Sequence, residues 1–276
     1  MFTLNCKGRL VVIDKPIVMG VINATPDSFY VGSRIQGTEN IVRAAEKMIR
    51  EGVDIIDIGG QSTRPGSHQV SEEEELQRVV DAVDRIHSRF PEVIISIDTY
   101  FSNVARECVG AGAAMINDIS SGAFDEKRLT TVARLKAPYV IMHMRGTPDS
   151  MQRYAMYDDV VKEVFDFLVQ KKDQCQKAGI SDIIIDPGFG FAKTIQHNFR
   201  LLKHLSIFRS IEAPLLVGIS RKSSIYKTLG VSAGEALNGT TVMNTIALIN
   251  GAHILRVHDV KEAREAIDLW LMVNSE

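Results

Sequence analysis

Cysteine is scarce in this chain, which has three in 276 residues: Cys6, Cys108 and Cys175. They lie far apart and match no zinc-binding or redox spacing. This argues against a disulfide framework and against a cysteine-based metal site. We therefore expect the protein in a reducing compartment.

Long apolar stretches and an excess of positive charge are also missing. No window approaches the length that spans a bilayer, and Met1 to Asn5 lacks the basic-then-apolar pattern of a secretion signal. The formal net charge is -2, so no broad basic surface is available for nucleic acid or an anionic membrane. These absences predict a cytoplasmic protein whose partners are small molecules.

What the sequence does contain is an alternation of short, apolar, β-branched runs with longer segments of helical period. Such alternation predicts parallel strands joined by crossover helices. Eight runs and a length of 276 residues match a (β/α)8 TIM barrel, an α/β fold that forms a single domain over residues 1–276. The predicted strands are Ile17–Asn23, Val53–Ile58, Val93–Asp98, Ala113–Ile119, Tyr139–His143, Asp182–Asp186, Leu215–Ile219 and His253–His258.

The residues that precede these runs form a second pattern. Proline precedes the odd-numbered runs, and glycine precedes the even-numbered ones. A unit of two strands and two helices that occurs four times favours closure at eight strands over an open sheet. The prolines are Pro16, Pro91, Pro138 and Pro214, and the glycines are Gly52, Gly112, Gly179 and Gly251.

Other local signals lie at the two ends of the barrel sequence. Thr3–Asn5 and Arg9–Ile13 flank Lys7-Gly8, which predicts an N-terminal β-hairpin that closes the bottom of the barrel. Near the other end, the helix around Ile246 is apolar on more than one face. We expect it to form a subunit contact rather than to be wedged in the core.

Polar side chains stand at the ends of nearly all the predicted strands, where barrels of this kind have their active sites. A single Asp or Asn there is as often a cap for the next turn. The whole set, however, combines carboxylates, carboxamides and basic groups, which suits a polar planar ligand together with an anion. The residues are Asn23, Asp57, Asp98, Asn117, His143, Asp186, Ser220, Arg221, Lys222, Arg256 and His258.

The spacing of potential metal ligands is also informative. No histidine-rich or cysteine-rich pattern predicts a transition-metal site. A magnesium ion held mainly by a substrate phosphate needs only one or two oxygen ligands from the protein. The sequence is therefore compatible with Mg²⁺ and not with a dedicated zinc site.

Five strings in and between these strand ends resemble those of the dihydropteroate synthase family of pterin-binding TIM barrels. The resemblance runs from about Val18 to Val260, with the motifs in family order. It implies a homodimeric transferase that condenses 6-hydroxymethyl-7,8-dihydropterin diphosphate with p-aminobenzoate, releases diphosphate and uses Mg²⁺. The strings are Asn23-Ala24-Thr25-Pro26-Asp27-Ser28-Phe29, Gly59-Gly60-Gln61-Ser62-Thr63-Arg64-Pro65-Gly66, Asp186-Pro187-Gly188-Phe189-Gly190-Phe191, Ser220-Arg221-Lys222-Ser223 and Arg256-Val257-His258-Asp259.

The resemblance assigns the pterin to four residues. Asp186 accepts from the ring N–H and the 2-amino group, a bidentate match of planar groups. Asn117 binds the same edge, and Asp98 accepts from the reduced ring. Lys222 donates to the pterin carbonyl and a ring nitrogen, although a Schiff-base lysine is a rival role. The neighbouring Asp118 points to the opposite face of its strand and is expected to be structural.

The resemblance assigns the diphosphate to Arg256 and His258, which lie two residues apart beside the start of a helix. Arg256 also stacks on the pterin. Thr63 and Arg64 contact the diphosphate and the second substrate, and Asn23 holds Mg²⁺ through its side-chain oxygen.

For the second substrate, the resemblance places Ser223 at the aminobenzoate carboxylate and Phe191 in its apolar wall. Departure of diphosphate leaves a delocalised cation that the aromatic amine attacks, so no strong base is needed. Catalysis then depends on stabilising both charges, and we expect Asp98, Lys222, Arg256 and His258 to be the catalytic residues.

Two positions depart from the family pattern. The first loop has Tyr30-Val31-Gly32-Ser33 where an Asp-Gly-Gly run is usual, so an expected carboxylate is missing at Val31, with Asp27 or a water as its substitute. Gln61 stands where the family commonly has Glu, which removes a charge and keeps an acceptor.

Two other functions keep the barrel and the pterin. A methyltetrahydrofolate-binding methyltransferase domain that serves a corrinoid partner would have no anion to meet Arg64, Arg256 and His258. A non-catalytic pterin-binding barrel is favoured only by the missing loop carboxylate. The position of His143, as a wall of the site or as a core residue, stays open at this point.

Overall fold

The chain begins with an antiparallel hairpin in the computed structural model, which describes residues 1–24, 34–61 and 70–275. Strands β1 (Phe2–Cys6) and β2 (Arg9–Ile13) pair over their full length. Lys7 and Gly8 form the two-residue turn, with φ of 54° and 87°. Positive φ at both central residues is typical of a type I′ hairpin turn, so the predicted hairpin is confirmed.

Among the described residues, eight parallel strands follow and form one continuous ladder, and a helix follows each strand. Every predicted run overlaps with one of them, which confirms the predicted α/β barrel. The first of these strands has the bounds of its predicted run, the second begins two residues later and ends one residue later than predicted, and the other six are shorter than their runs because the run ends turn into loops. They are β3 (Ile17–Asn23), β4 (Ile55–Gly59), β5 (Ile94–Asp98), β6 (Met115–Asp118), β7 (Tyr139–Met142), β8 (Ile183–Asp186), β9 (Leu216–Val217) and β10 (Ile254–Val257).

The ladder closes into a barrel between β8 and β9. Along the sheet the strand order is β8-β7-β6-β5-β4-β3-β10-β9, so β8 and β9 are its two ends. A parallel bridge joins Ile185 to Leu215, and the Ile185 N–H donates to the Pro214 carbonyl at 2.9 Å. In the described part of the chain this seam has fewer backbone contacts than the other strand pairs.

The hairpin covers the N-terminal end of the barrel. Its buried residues Leu4, Cys6 and Ile13 pack with the first inward-facing side chains of the strands, among them Met19 and Ile55. Apolar side chains from β5 to β10 complete this cluster. The bottom of the barrel is therefore filled, as predicted, and the polar strand ends lie at the opposite face.

Helices pack around the barrel, and their inner faces form the larger apolar cluster with the outward-facing strand residues. Within the described residues, no helix is both long and apolar enough to cross a bilayer. The helices are α1 (Arg34–Arg50), α2 (Glu72–Arg89), α3 (Ser102–Ala111), α4 (Arg128–Leu135), α5 (Val160–Lys177), α6 (Ile195–Lys203), α7 (Ser223–Leu229), α8 (Leu237–Ile249) and α9 (Val260–Asn274).

The glycines of the fourfold pattern end helices that lead into β4, β6, β8 and β10. Gly52, Gly112, Gly179 and Gly251 have φ of 86°, 126°, 92° and 93°, the left-handed region in which glycine is favoured. At Gly112 a Cβ atom would also lie 2.4 Å from the His87 ring. The glycines of the sequence pattern thus correspond to one type of helix C-terminus, which occurs four times in the barrel.

Candidate active site

Four polar residues from four strands meet at the C-terminal end of the barrel. Arg256 on β10 donates from Nε to Asp57 Oδ2 and from Nη2 to Asp98 Oδ2, each at 2.7 Å. Asn117 donates from Nδ2 to the same Asp57 oxygen at 2.9 Å. We call Arg256, Asp57, Asp98 and Asn117 the arginine cluster.

The register of the strands explains why these residues meet. Asp57 pairs with Ser96, and Asp98, two residues further along β5, pairs with Asn117 on β6. Because side chains alternate between the two faces of a strand, these three residues all point into the barrel. Arg256 then reaches them from β10, across β3.

Burial controls the charges of the arginine cluster. It raises the pKa of Asp98 to about 7, an effect that Arg256 opposes and Asp57 reinforces. Burial alone would lower the pKa of Arg256, but Asp57 and Asp98 outweigh it and raise this pKa above its usual range. The cluster therefore holds a fixed guanidinium between two carboxyl groups, one of which titrates near neutral pH.

A second pair consists of Asp186, which ends β8, and Lys222, which lies between β9 and α7. Asp186 is buried and accepts a hydrogen bond from the Gly188 N–H at 2.7 Å. Burial raises its pKa, and Lys222 opposes this. Burial also lowers the pKa of Lys222 to about 8, with Asp186 in opposition.

The lysine of this pair also contacts the loop after β8. Lys222 Nζ donates to the Phe189 carbonyl and lies 4.7 Å from the centroid of the Phe191 ring. Phe191 is itself buried, at 7% exposure. Ser223 follows Lys222 directly as the first residue of α7. The structure thus brings Asp186, Phe191, Lys222 and Ser223 to one side of the barrel mouth.

His258 lies one residue beyond β10 and is exposed. Its backbone N–H donates to Ser220 Oγ at 3.2 Å, and its Nδ1 lies 3.1 Å from the same hydroxyl. In the tautomer in which the Ser220 hydroxyl donates to Nδ1, the proton of the neutral ring is on Nε2, which is then a donor. Although part of the side chain is exposed, the surrounding protein removes hydration from the ring, and this, followed by the charge of Arg256, lowers the pKa of His258 to about 4.

Asn23 ends β3 and is exposed, opposite Gly59 in the register with β4. Among the described residues, no group of three or more His, Cys, Asp or Glu side chains could hold a metal ion. A cation at Asn23 would thus need most of its ligands from a substrate.

Several predicted residues lie outside the described residues. Thr63 and Arg64 are among them, as are the first-loop positions Asp27 and Val31. Their predicted roles stay predictions.

His143, whose place the sequence left open, is a buried residue behind the site. It is 3% exposed, and its Nδ1 lies 2.9 Å from the Nζ of Lys193. The ring packs edge-on against Phe167, with centroids 5.0 Å apart. Burial lowers its pKa to about 2, so the imidazole is neutral. No sequence signal indicated Lys193, since a lysine in a loop is typical of a protein surface.

Asp118, in contrast, faces away from the barrel interior, as predicted. Its Oδ2 accepts from Arg128 Nε at 3.0 Å and from the Tyr139 hydroxyl at 2.7 Å. Arg128 also donates to the backbone carbonyls of Thr99 and Phe101. This buried ion pair holds the segment that directly follows Asp98.

Gln61, the second departure from the family pattern, is part of a buried hydrogen-bonded chain. Its Nε2 donates to Glu75 Oε2 at 2.5 Å, and its Oε1 accepts from the Tyr100 hydroxyl at 2.9 Å. Glu75 is fully buried, which raises its pKa. The amide satisfies a carboxylate and a hydroxyl at once, a task that a second carboxylate could perform only with an added proton.

Comparison with known proteins gives consistent matches over the whole chain. The model of the family described as pterin binding enzyme matches residues 19–258. Dihydropteroate synthase of Escherichia coli strain K12 is 45% identical over 266 residues, which is 96% of this chain and 94% of that protein. The Haemophilus influenzae enzyme of the same name is 40% identical and covers 97% of each chain.

Solved structures agree with these matches. A Xanthomonas albilineans dihydropteroate synthase with 4-aminobenzoic acid has a TM-score of 0.93 and 39% identity, with 99% of this chain and 98% of that one covered. The Yersinia pestis enzyme in complex with a sulfonamide drug has a TM-score of 0.94 at 40% identity, with both chains fully covered. A further Xanthomonas structure, at 0.89 and 37% identity with 99% of each chain covered, holds 7,8-dihydropteroate.

Proposed function

The chain belongs to the family of pterin-binding enzymes, and we propose that the strand ends described above perform its reaction. It is a transferase of folate synthesis that condenses 6-hydroxymethyl-7,8-dihydropterin diphosphate with p-aminobenzoate, giving 7,8-dihydropteroate and diphosphate. The observation that carries the site assignment is the convergence of the arginine cluster with Asp186 and Lys222.

Recognition of the pterin falls to Asp186, Asn117, Asp98 and Lys222. Asp186 is a buried carboxylate, and its pairing with ring N–H and amino groups replaces the hydration that burial removes. Asn117 donates to Asp57, so its amide oxygen serves the substrate. Lys222 donates to the pterin carbonyl. Burial, which lowers its pKa to about 8, has already removed water from the amino group, so pterin binding does not have to displace a full hydration shell.

The diphosphate binds on the side of Arg256 and His258. Arg256 uses Nε and Nη2 for the two carboxylates, so Nη1 and the face of the guanidinium remain for the anion and the pterin ring. The neutral imidazole of His258 donates from Nε2, and the N-terminus of α9 lies directly behind it. Thr63 and Arg64 complete this side.

Bond cleavage places positive charge on the pterin and negative charge on the departing diphosphate. Asp98, in the ionised form that it takes above a pKa of about 7, faces the cation, while Arg256 and His258 face the anion. The amine of p-aminobenzoate, positioned by Ser223 and Phe191, attacks the pterin methylene. No described residue needs to act as a strong base, because the attacking aromatic amine loses its proton after the new bond has formed.

Mg²⁺ is the proposed cofactor, and the side-chain oxygen of Asn23 would hold it. The exposed position of Asn23 at a strand end suits a cation whose remaining ligands are diphosphate oxygens and water. When bound, the ion supplies charge neutralisation on the leaving diphosphate.

A direct assay tests this function against its rivals. The protein is incubated with the pterin diphosphate, p-aminobenzoate and Mg²⁺, and diphosphate and dihydropteroate are measured; both are expected in equal amounts. Pterin binding without release of diphosphate would instead identify a binding module. Binding of methyltetrahydrofolate in preference to the pterin diphosphate would identify the methyltransferase domain.

The site residues are tested by Arg256→Ala and His258→Ala at saturating Mg²⁺. We expect turnover to fall by about a hundredfold or more for Arg256→Ala, since a preorganised charged donor is lost. Unchanged turnover in both variants would show that the diphosphate binds elsewhere.

We also propose that the chain acts in the cytoplasm as a homodimer of single-domain subunits. Helices α8 and α9 expose a group of large apolar side chains that a second copy would cover. They are Val242, Ile249, Leu269, Met272 and Val273. Sedimentation should show a dimer for the natural chain and a monomer for a doubly charged variant, Ile249→Glu with Leu269→Glu.

A further inference from the structure

Lys193 is a buried lysine that the proposed mechanism does not use. It lies in the loop between β8 and α6 and is 3% exposed. Its Nζ is 2.9 Å from His143 Nδ1, 3.2 Å from the His143 carbonyl, 2.9 Å from the Gly188 carbonyl and 3.0 Å from the Phe191 carbonyl. Two of these partners belong to the loop 187–192, and one residue, His143, follows β7.

The loop 187–192 contacts both charged residues that we assign to the pterin, Asp186 and Lys222. At its start the Gly188 N–H donates to Asp186, and further along the Phe189 carbonyl accepts from Lys222. The Phe191 ring lies under the same Lys222 ammonium. A shift of this loop therefore moves the hydrogen-bond partners of Asp186 and Lys222 together.

The loop is folded tightly against the end of β7. Gly188 has a φ of 72°, and a Cβ atom there would lie 2.0 Å from the His143 carbonyl oxygen. Backbone segments this close bring carbonyl oxygens together, and such oxygens repel one another unless a donor lies between them. Lys193 Nζ occupies that place and donates to carbonyls of both segments.

We propose that Lys193 is a positioning residue, which holds the loop 187–192 against β7 so that Asp186 and Lys222 match the pterin. The inference rests on the proposed function, since it concerns the affinity of that site. Lys193 itself does not touch the substrate. Its buried ammonium acts on the site indirectly: by donating to the Gly188 and Phe191 carbonyls, it fixes the loop that contacts Asp186 and Lys222.

The test compares two lysines that both donate to backbone carbonyls. Lys193→Met keeps the apolar stem and removes every donor. The matched control is Lys172→Met, since Lys172 donates to the Ile211 and Glu212 carbonyls on the outer surface, away from the strand ends. Thermal unfolding and circular dichroism establish the folded fraction of each variant.

We expect Lys193→Met to raise the KM for the pterin diphosphate by about tenfold or more, because small displacements of binding groups are costly. At saturating pterin the kcat should stay within about threefold of the unmodified chain. Lys172→Met should lower thermal stability without a change in KM. Lys193→Gln, which retains two N–H donors, should give an intermediate KM.

The outcomes separate the two proposals. If the unmodified chain releases no diphosphate, the proposed function fails. If it turns over normally and folded Lys193→Met keeps the same pterin KM, Lys193 is merely structural and this inference is wrong. Should Lys193→Met fail to fold, the KM of Lys193→Gln decides in the same way.

Discussion

Asp57 Oδ2 and Arg256 Nε lie 2.7 Å apart, although the two residues are 199 positions apart in the sequence. Asp57 is fully buried, and its Oδ2 accepts from both Arg256 and Asn117. Its Oδ1 has no hydrogen-bond partner among the described residues. The guanidinium is thus fixed from below by a carboxylate that solvent does not reach.

This geometry predicts that Asp57→Asn lowers kcat/KM by about tenfold or more, because the variant removes a buried charge that orients Arg256. The matched control is Asp54→Asn, which removes a carboxylate paired with Arg264 at the opposite end of the barrel. Steady-state kinetics on both variants checks the prediction. Equal losses in the two would indicate a general effect on folding.

The raised pKa of Asp98 predicts a pH dependence of stability. The folded chain holds a proton on Asp98 up to about pH 7, whereas the unfolded chain releases it near about pH 4. The folded state binds more protons in this window, so its free energy of unfolding falls as pH rises from about 4 to about 7. Asp98→Asn should lack this slope.

Thermal or urea unfolding of both proteins across this range measures the effect. The difference between the two curves isolates Asp98, because the other titrating groups are shared. A constant difference across the range would contradict the raised pKa.

The ion pair of Arg128 and Asp118, which is fully buried, predicts a large effect on stability. Arg128→Met leaves an uncompensated carboxylate and unsatisfied carbonyls at Thr99 and Phe101, which should cost about 3–5 kcal/mol in free energy of unfolding. Urea denaturation provides the measurement. As a control, Lys162→Met breaks an exposed pair with Asp166 and should change stability little. If both variants lost a similar free energy of unfolding, breaking the buried ion pair would cost no more than breaking the exposed one, and the prediction would be wrong.

Gln61→Glu should make stability dependent on pH. The new carboxylate would lie next to buried Glu75, to which Gln61 now donates at 2.5 Å. One of the two must take a proton, so the pair has a raised pKa and the variant loses stability as pH rises toward 8. At pH 5 it should match the unmodified chain more closely.

The control for this prediction is Gln77→Glu on α2, the helix that also carries Glu75. Gln77 is exposed, so its replacement adds a hydrated carboxylate that needs no proton. Melting temperatures at pH 5 and pH 8 provide the comparison. Parallel behaviour of the two variants would show that Glu75 is not the cause.

Much of the fold follows from sequence because each strand is a short apolar run that must be covered on both faces. The positions of Asp98, Asn117 and Asp186 follow in turn, since parallel strands bring their ends to one side. The helix cap at Ser71, whose Oγ accepts from the Glu74 N–H at 3.2 Å, is a local signal of the same kind.

Other features depend on contacts that no local pattern encodes. Lys193 enters the interior because positive-φ backbone at Gly188, Gly190 and Ala192 turns the loop inward. Asp57 stood in the set of strand-end residues, but its central place depends on the register across β10, β3 and β4. Such relations arise from the assembled barrel and not from spacing along the chain.

The seam between β8 and β9 has a mechanical consequence. Elsewhere the barrel wall is a continuous ladder, but Ile185 and Leu215 are joined by an isolated bridge, directly below Asp186. Local separation of strands needs least energy where the fewest backbone bonds must break. The wall is therefore most compliant beside Asp186, to which we assign the pterin, while the stiffer ladder of β10, β3, β4 and β5 keeps the spacing of Arg256 and its carboxylates constant.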